Sequence, residues 1–421
     1  MFFLNKPGRL VAALLIAAIL AGCGGAEERK AKYLERGKTY FEEQNYDKAT
    51  VEFKNVLQID PKTGAPYYYL GRIAEQAGEL RKAFGSYNKA VELAPELLDA
   101  RVRLGRLYLL SGEDEKAKEQ ADAVLSSEPD NTDALTLRAS ILYRNDKADE
   151  AIAILKRILA STPGEEGAAV LLAGIYERQD RADESIRVLE SARAANTQSV
   201  VLRVNLIKGY LKRKDNDKAV AIMRSLIEDF PDELQYRVTL ASFYAQTDQN
   251  GKAEAVLRKA IADSPDDAQR YLLLADFYKN REGLDKAIAE LEKLSDAKPD
   301  LAELRFALAG LYAEAGRTDK TEAVYQALID KYGTEPQGLK ARTAIAVLRA
   351  QAGKTDEARD LLEEVLAENP GDSGALMLKG RLQLKEKHYT DAISTFRTVL
   401  KDQPDSAEVL LMLAAAHQAN G

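Results

Sequence analysis

The chain has 421 residues, of which 46% are hydrophobic and 30% are charged, and its formal net charge is −7 at pH 7. This acidic balance argues against a general nucleic-acid binder, because such proteins carry an excess of Lys and Arg to neutralise phosphate. The only cysteine is Cys23, which excludes an intramolecular disulfide and a cysteine-based zinc or iron–sulfur site. Trp is absent and Pro numbers 12, so a mostly helical chain is expected.

The first 22 residues have the layout of a secretory signal peptide. Lys6 and Arg9 precede a mostly apolar run over residues 10–22. This run is shorter than the roughly 20 residues that a bilayer-spanning helix needs. It ends in the letters LAGC at residues 20–23, which resemble the lipobox of bacterial lipoproteins. The alternative is a plain secretory leader with an incidental cysteine.

The lipobox resemblance implies that residues 1–22 are removed and that Cys23 becomes a lipidated N-terminus. Several acyl chains anchor a protein to a membrane more firmly than one. Gly24 stands where an aspartate would favour the inner membrane, so outer-membrane anchoring facing the periplasm is expected. Residues 23–29 are then the lipidated N-terminus and a short polar spacer.

Small residues recur at multiples of 34 residues after residue 30. The first series comprises Gly37, Gly71, Gly105, Ala139, Ala173, Ala241, Ala275 and Ala309. The second lies twelve residues further on and comprises Ala49, Ala83, Ala117, Ala151, Ser185, Ala219, Ala253 and Ala287. Two series in step predict a paired contact at which two helices approach closely.

Aromatic residues and prolines keep the same period. The tyrosines are Tyr40, Tyr108, Tyr176, Tyr210, Tyr244, Tyr278 and Tyr312. The prolines are Pro61, Pro95, Pro129, Pro163, Pro231, Pro265 and Pro299. Proline just beyond a helix end is a stop signal, because its ring cannot continue the hydrogen-bond ladder. Each unit is therefore predicted to be two helices joined by a turn rich in Asn, Asp or Gly.

This pattern resembles the tetratricopeptide repeat, whose 34-residue signature is met in the first unit by Gly37, Tyr40, Ala49, Phe53 and Pro61. The resemblance implies an all-α fold, a right-handed superhelical solenoid of helix-turn-helix repeats. We number the positions of each unit from 1 to 34, starting at residue 30 in the first unit.

The resemblance covers nearly all of the chain after the spacer. Nine units keep phase over residues 30–335, an insertion is predicted at 336–338, two further units occupy 339–406, and a single helix of an incomplete or capping unit occupies 407–421. Four residues depart from the pattern, namely Thr197, Ile207, Thr321 and Gly333. The phase shift makes the junction of the ninth and tenth units the expected place for a bend.

The last helix has no partner within the chain. It is either a cap or the sign of a fragment of a longer protein, and exposure of Leu410, Leu411 and Met412 would favour the fragment.

No catalytic or metal-binding pattern occurs in the sequence, so neither enzyme activity, a cofactor nor a metal is expected. The two histidines, His388 and His417, have no second histidine three or four residues away. His388 is expected to be exposed in a turn. His417 occupies the tyrosine position of its unit and is expected to pack.

The tetratricopeptide resemblance implies a concave groove lined by the first helix of each unit. Position 9 reads Lys38, Arg72 and Arg106 in the first three units, with Tyr68 and Tyr143 on the same wall. Stacked cations and rings would suit an anionic partner, such as a uronate-containing glycan or an acidic peptide. The alternative is ordinary surface charge.

Lipid-anchored repeat proteins of this appearance occur in alginate-type secretion and in exopolysaccharide loci linked to PEP-CTERM sorting. This resemblance implies a periplasmic scaffold that mediates protein–protein interactions with other envelope proteins during assembly or secretion of an extracellular polysaccharide. The alternatives are a pilotin or outer-membrane-protein assembly accessory, and the N-terminal repeat region of a larger enzyme.

Overall fold

The computed structural model describes the backbone of residues 8–421 and the side chains of residues 25–421. Residues 1–7 of the predicted signal peptide, the side chains of its remaining residues and the thiol of Cys23 therefore lie outside the described part of the chain. The chain divides into two compact units, residues 1–222 and 223–421. No helix in the described part of the chain is long and apolar enough to cross a bilayer.

All regular secondary structure in the described residues is helical. The helices are α1 (Gly8–Glu42), α2 (Tyr46–Ile59), α3 (Gly64–Gln76), α4 (Leu80–Leu93), α5 (Leu98–Ser111), α6 (Asp114–Ser127), α7 (Thr132–Arg144), α8 (Ala148–Ser161), α9 (Glu166–Arg178), α10 (Ala182–Ala195), α11 (Val200–Lys212), α12 (Asn216–Asp229), α13 (Leu234–Gln246), α14 (Asn250–Asp263), α15 (Ala268–Arg281), α16 (Leu284–Ala297), α17 (Ala302–Glu314), α18 (Thr318–Tyr332), α19 (Pro336–Gln351), α20 (Thr355–Glu368), α21 (Ser373–Lys385), α22 (Tyr389–Asp402) and α23 (Ala407–Asn420). We number successive pairs of helices in chain order as hairpins 1–11, and α23 follows the last pair. The predicted all-α stack of helical hairpins is confirmed within each unit.

The turn inside each hairpin depends on one residue with a left-handed backbone. In ten hairpins this residue is at position 15, and these residues are Gln44, Gly78, Gly112, Asp146, Asp180, Lys214, Asp248, Gly316, Gly353 and Lys387. A left-handed residue ends an α-helix because its N–H can still satisfy a carbonyl of the last turn. In hairpin 8 it is Gly283, one position later. Seven of the ten residues at position 15 are Gly or Asp, as the predicted turn composition suggests, and Gln44, Lys214 and Lys387 adopt the same geometry.

The second small series lies at the centre of every hairpin. Its members are at most 1% exposed, including the departures Ser185 and Thr321. Gly37 and Gly71 of the first small series each face an aromatic ring at position 24 of the second helix, namely Phe53 and Tyr87. A Cβ added to Gly71 would lie 2.6 Å from ring atoms of Tyr87, so this glycine leaves room for the ring. Where position 24 is a leucine, as at Leu291, the first series has alanine, here Ala275.

Neighbouring hairpins are joined by a contact that the sequence analysis missed. The side chain at position 4 donates a hydrogen bond to the carbonyl of position 32 in the preceding hairpin, six residues earlier. The five pairs are Tyr67 with Pro61, Arg101 with Pro95, Arg203 with Thr197, Arg237 with Pro231 and Tyr271 with Pro265. Both Tyr and Arg are long enough to reach this carbonyl, which hides the common role in the sequence.

The predicted insertion at 336–338 is the first turn of α19 in the structure. A Cβ on Gly338 would lie 2.2 Å from the carbonyl oxygen of Gly333, so the two backbones touch. Ala302, Leu328 and Ala341 form one buried cluster across this junction. The hydrophobic core therefore continues through the phase shift, and a bend at this place stays a prediction.

The final helix α23 has an open apolar face. Leu410 is 46% exposed and Leu411 is 70% exposed, while Met412 is half-buried. His417 is exposed, which differs from the expectation that it packs, since none of the described helices covers position 11 of this unit.

Candidate binding surfaces

Two of the three cations predicted to line the groove have acidic partners within the protein. The Nζ of Lys38 on α1 donates a hydrogen bond to Glu35 at 3.2 Å. Arg106 on α5 pairs with Asp133 on α7. Pairs this exposed contribute about 0–1 kcal/mol, so a ligand carboxylate could exchange with either partner. The anion-binding role of Lys38, Arg72 and Arg106 stays a prediction. Because two of these three cations already have acidic neighbours, less positive charge is free for a ligand than the sequence suggests.

Arg72, the middle cation, lies on an aromatic cluster. Its guanidinium is 4.5 Å from the ring centre of Phe41 and 5.7 Å from that of Tyr68. Tyr69 joins both neighbours, with ring centres 5.3 Å from Phe41 and 5.2 Å from Tyr68. The structure thus places Arg72 and Tyr68 side by side, as the sequence predicted for two residues of one surface. The hydroxyl of Tyr68 also donates a hydrogen bond to Asp99 at 3.4 Å.

Tyr143 has a different environment from Tyr68. It packs against the buried cluster of hairpins 4 and 5, which includes Leu135, Leu155 and Leu172. The described contacts place it with this core and not with the aromatic cluster around Arg72. Its assignment to the same binding surface stays untested.

A half-buried polar network behind the aromatic cluster escaped the sequence analysis. The hydroxyl of Tyr87 donates a hydrogen bond to Glu75 at 2.5 Å, and Arg103 donates to the same carboxylate at 2.8 Å. Burial, followed by the Glu75 carboxylate, raises the pKa of the Tyr87 phenol far above its usual value. Burial opposes the charge of Arg103, but Tyr87 and Glu75 outweigh it and raise the pKa of the guanidinium. The residue at position 12 of hairpin 2, Glu75, therefore forms an ion pair with Arg103 inside the protein.

The second compact unit contains its own groove between α13 and α15. A cavity of about 320 Å³ opens there, with Val238, Ala245 and Phe277 on its apolar side and Gln246 and Asn280 among its polar groups. These residues occupy first-helix positions, so the repeat register could have identified them. The sequence analysis missed them because it searched position 9 for charge, and position 9 here is Ser242.

The opposite side of the hairpins has a regular arrangement around the position-11 tyrosine. The Nζ of the position-19 lysine lies 4.9–5.5 Å from the ring centre in six hairpins. The pairs are Tyr40 with Lys48, Tyr108 with Lys116, Tyr210 with Lys218, Tyr244 with Lys252, Tyr278 with Lys286 and Tyr312 with Lys320. Such cation–π contacts are attractive because the ring face is electron-rich.

The hydroxyl of this tyrosine meets position 25 of the preceding hairpin. Arg224 donates to Tyr244 at 3.2 Å and Arg258 donates to Tyr278 at 2.9 Å. Tyr210 and Tyr312 instead donate to Glu190 and Glu292. Each complete arrangement therefore has one ring, one stacked lysine and one polar side chain at the hydroxyl.

No group of three or more His, Cys, Asp and Glu side chains in the described part of the chain is placed to hold a metal ion. His388 is exposed at the start of α22, as predicted, 3.7 Å from Glu386.

Four family models match parts of the chain. The TPR domain of cytochrome c-type biogenesis protein H matches residues 26–169, and the N-terminal TPR repeat region of psidin matches residues 107–262. Two tetratricopeptide repeat models match residues 272–336 and 349–416. The chain therefore contains tetratricopeptide repeats, which bind partner proteins. No curated protein matches it.

Solved structures of other repeat proteins resemble this one in fold. A chain in the structure of Naa15/Naa10 bound to HypK-THB has 16% identity and a TM-score of 0.50, and the match covers 90% of the present chain and 64% of the other. Pseudomonas aeruginosa pilF has 17% identity and a TM-score of 0.38, and the match covers 52% and 99%. Yeast Tom70 has 16% identity and a TM-score of 0.39, and the match covers 94% and 96%. At 16% identity the likeness to the chain of the Naa15/Naa10 structure is one of fold alone.

Proposed function

We propose that this repeat protein is a lipid-anchored scaffold on the periplasmic side of the bacterial outer membrane, where it binds other envelope proteins during assembly or secretion of an extracellular polysaccharide. The observation that carries the binding role is the row of first-helix surfaces, with an aromatic and basic surface around Arg72 and a separate apolar groove at Phe277. Two different surfaces on one chain suit a scaffold that holds more than one segment.

The anchoring part of the proposal is supported by the position of Cys23. The only thiol of the chain stands at the residue that a lipobox requires. A Cys23→Ser variant is expected to leave the membrane fraction and to lose incorporation of labelled palmitate. Wild-type labelling of the variant would contradict anchoring through this residue, and the unchanged membrane fraction of an unrelated lipoprotein is the control.

The pathway is tested by gene deletion in the native bacterium. Loss of surface polysaccharide with normal insertion of outer-membrane proteins is expected, and restoration by the wild-type chain is the control. Normal polymer together with defective protein insertion would instead favour an assembly accessory. Affinity capture of the lipidated protein from its own envelope then identifies the partners. Capture dominated by secretin or barrel-assembly subunits would favour the assembly accessory over the polysaccharide scaffold.

A further inference from the structure

Hairpin 2 lacks the ring of the repeated outer arrangement but keeps the side chains that surround it elsewhere. Position 11 is Ala74, whereas position 19 is Lys82 and position 25 of the preceding hairpin is Lys54. In hairpins 7 and 8 the equivalent side chains hold a tyrosine from both sides. Hairpin 4 also lacks the ring, but its equivalent residues are Glu150 and Asp122, so it offers no cations.

A cavity of about 680 Å³ occupies this place in hairpin 2. Leu70, Ile73 and Ala74 line it from α3, and Gly85, which has no side chain, lines it from α4. The equivalent cavity at hairpin 7, where Tyr244 is present, is about 500 Å³. The larger cavity lies where hairpin 2 has no ring at position 11 and no side chain at Gly85.

The charge of this cavity is mainly positive. Lys54, Lys82 and Lys89 line it, against one acidic residue, Glu79. Lys82 pairs with Glu79 at 2.7 Å and Lys89 pairs with Glu92 at 3.0 Å, and both pairs are solvent-exposed. Exposed pairs of this kind exchange partners readily. Lys54 makes no ion pair or side-chain hydrogen bond with any residue that the structure describes.

We propose that this cavity binds a tyrosine side chain presented by an acidic segment of a partner protein. The incoming ring takes the place that Tyr244 and Tyr278 occupy in their own hairpins. Lys82 stacks on its face, the Nζ of Lys54 donates to its hydroxyl oxygen, and Leu70 and Ile73 form the apolar floor. Carboxylates beside the tyrosine meet the surplus lysines. The inference rests on the protein-binding role proposed above and is independent of the polysaccharide pathway.

The test uses the full chain in detergent micelles and the peptide acetyl-Asp-Glu-Tyr-Glu-Asp-amide, with binding measured by isothermal titration calorimetry. Saturable binding is expected, and the same peptide with alanine in place of tyrosine is expected to bind at least about tenfold more weakly. Equal binding of the two peptides, or no binding by the wild-type protein, would overturn the inference.

Variants of the protein locate the site. Ala74→Tyr restores the missing ring, so it is expected to close the cavity and weaken binding at least about tenfold. Leu142→Tyr is the matched control, because it adds the same ring at position 11 of hairpin 4, and it is expected to leave binding unchanged. An Ala74→Tyr protein that binds like the wild type would exclude this cavity as the site.

A charge reversal covers the case in which Ala74→Tyr disturbs packing. Lys82→Glu changes an exposed side chain and is expected to weaken binding, whereas Arg81→Glu on the neighbouring residue, which does not line the cavity, is expected to have a clearly smaller effect. Equal losses in both variants would reduce the interaction to general charge and refute the inference. Partner capture from the native envelope is measured separately, so failure of the peptide site and failure of the scaffold role give different results.

Discussion

Hairpins 2 and 8 share the same repeat but take their central aromatic ring from opposite helices. In hairpin 2 the ring is Tyr87 on α4, which is fully buried and packs against Gly71. In hairpin 8 it is Tyr278 on α15, which is 2% exposed, and the second helix contributes Leu291. The two hairpins therefore reach a packed interior with different side chains at equivalent positions.

The comparison shows that, in these two hairpins, the residue at one position depends on the size of the residue that faces it. In hairpin 2 the Tyr87 ring at position 24 leaves room only for glycine at position 8, whereas in hairpin 8 Leu291 faces Ala275, because interiors tolerate little overlap. The two hairpins also differ on the outer face. When the ring leaves position 11, as at Ala74, the space beside Lys54 and Lys82 opens into a cavity.

The largest expected effect comes from exchanging the pair of hairpin 2 for that of hairpin 8. Gly71→Ala places a methyl group against the Tyr87 ring and is expected to cost about 1–3 kcal/mol of unfolding free energy. Tyr87→Leu leaves space and is expected to cost roughly 2 kcal/mol or more. The double variant is expected to recover at least about 1 kcal/mol relative to the sum, because the smaller side chain makes room for the methyl group. Urea denaturation of the four proteins measures this coupling.

The control for this exchange is Gly174→Ala on α9. A Cβ at Gly174 would have nothing within 4 Å, so the variant is expected to be neutral or stabilising by up to about 1 kcal/mol. Strict additivity of the two hairpin-2 substitutions would contradict the volume argument.

A smaller effect is expected at the position-4 contact between hairpins. The hydroxyl of Tyr271 donates to Pro265 at 2.8 Å and the residue is 3% exposed, whereas Tyr67 donates to Pro61 at 3.3 Å from a half-buried position. Tyr271→Phe is therefore expected to cost about 1 kcal/mol, and Tyr67→Phe less than about 0.5 kcal/mol. Thermal denaturation compares the two, and a larger loss from Tyr67→Phe would show that burial does not set the strength of this contact.

The smallest effect is a pH dependence that distinguishes the two central rings. Burial, with the Glu254 carboxylate as a hydrogen-bond partner, raises the pKa of Tyr278 from 10.0 to about 12. Because folding raises this pKa, the stabilisation is complete below about pH 10 and is lost as the pH rises toward about 12. The absorbance of tyrosinate follows this transition, and Tyr278→Phe is expected to remove one phenol that titrates near the upper end of the range. The control is Tyr87→Phe. Burial and the Glu75 carboxylate raise the pKa of Tyr87 further than that of Tyr278, so this variant is expected to leave the transition of Tyr278 unchanged. Titration of Tyr278 together with exposed tyrosines would contradict its buried environment.

Much of the hairpin architecture could be predicted from the sequence, because it depends on contacts between residues of one repeat. Ala49, Ala83 and the rest of the second small series are buried as expected, since this position lies where the two helices of a hairpin meet. The register also predicted which residues share the first-helix surface. Arg72 and Tyr68 lie together because four residues on one helix bring side chains to the same face.

The candidate site was predicted less completely, because its charges depend on partners from other helices. Lys38 and Arg106 looked free in the sequence, yet Glu35 and Asp133 lie beside them. The network of Glu75, Tyr87 and Arg103 joins three helices and leaves no short motif. The cavity at Ala74 was missed for a related reason. It is recognised only when the structure of hairpin 2 is compared with the structures of hairpins that have a tyrosine at position 11.

The sequence by itself determined the 34-residue period, the helices and their buried faces, because helix formation and hairpin packing are local and repeat with the chain. The tertiary structure decided which helix fills each interior, which cations remain available, and where position-11 substitution opens a cavity. These features depend on distances between side chains far apart in sequence, such as Lys54 and Lys82, whose placement on either side of an unfilled ring site appears only after the hairpins have stacked.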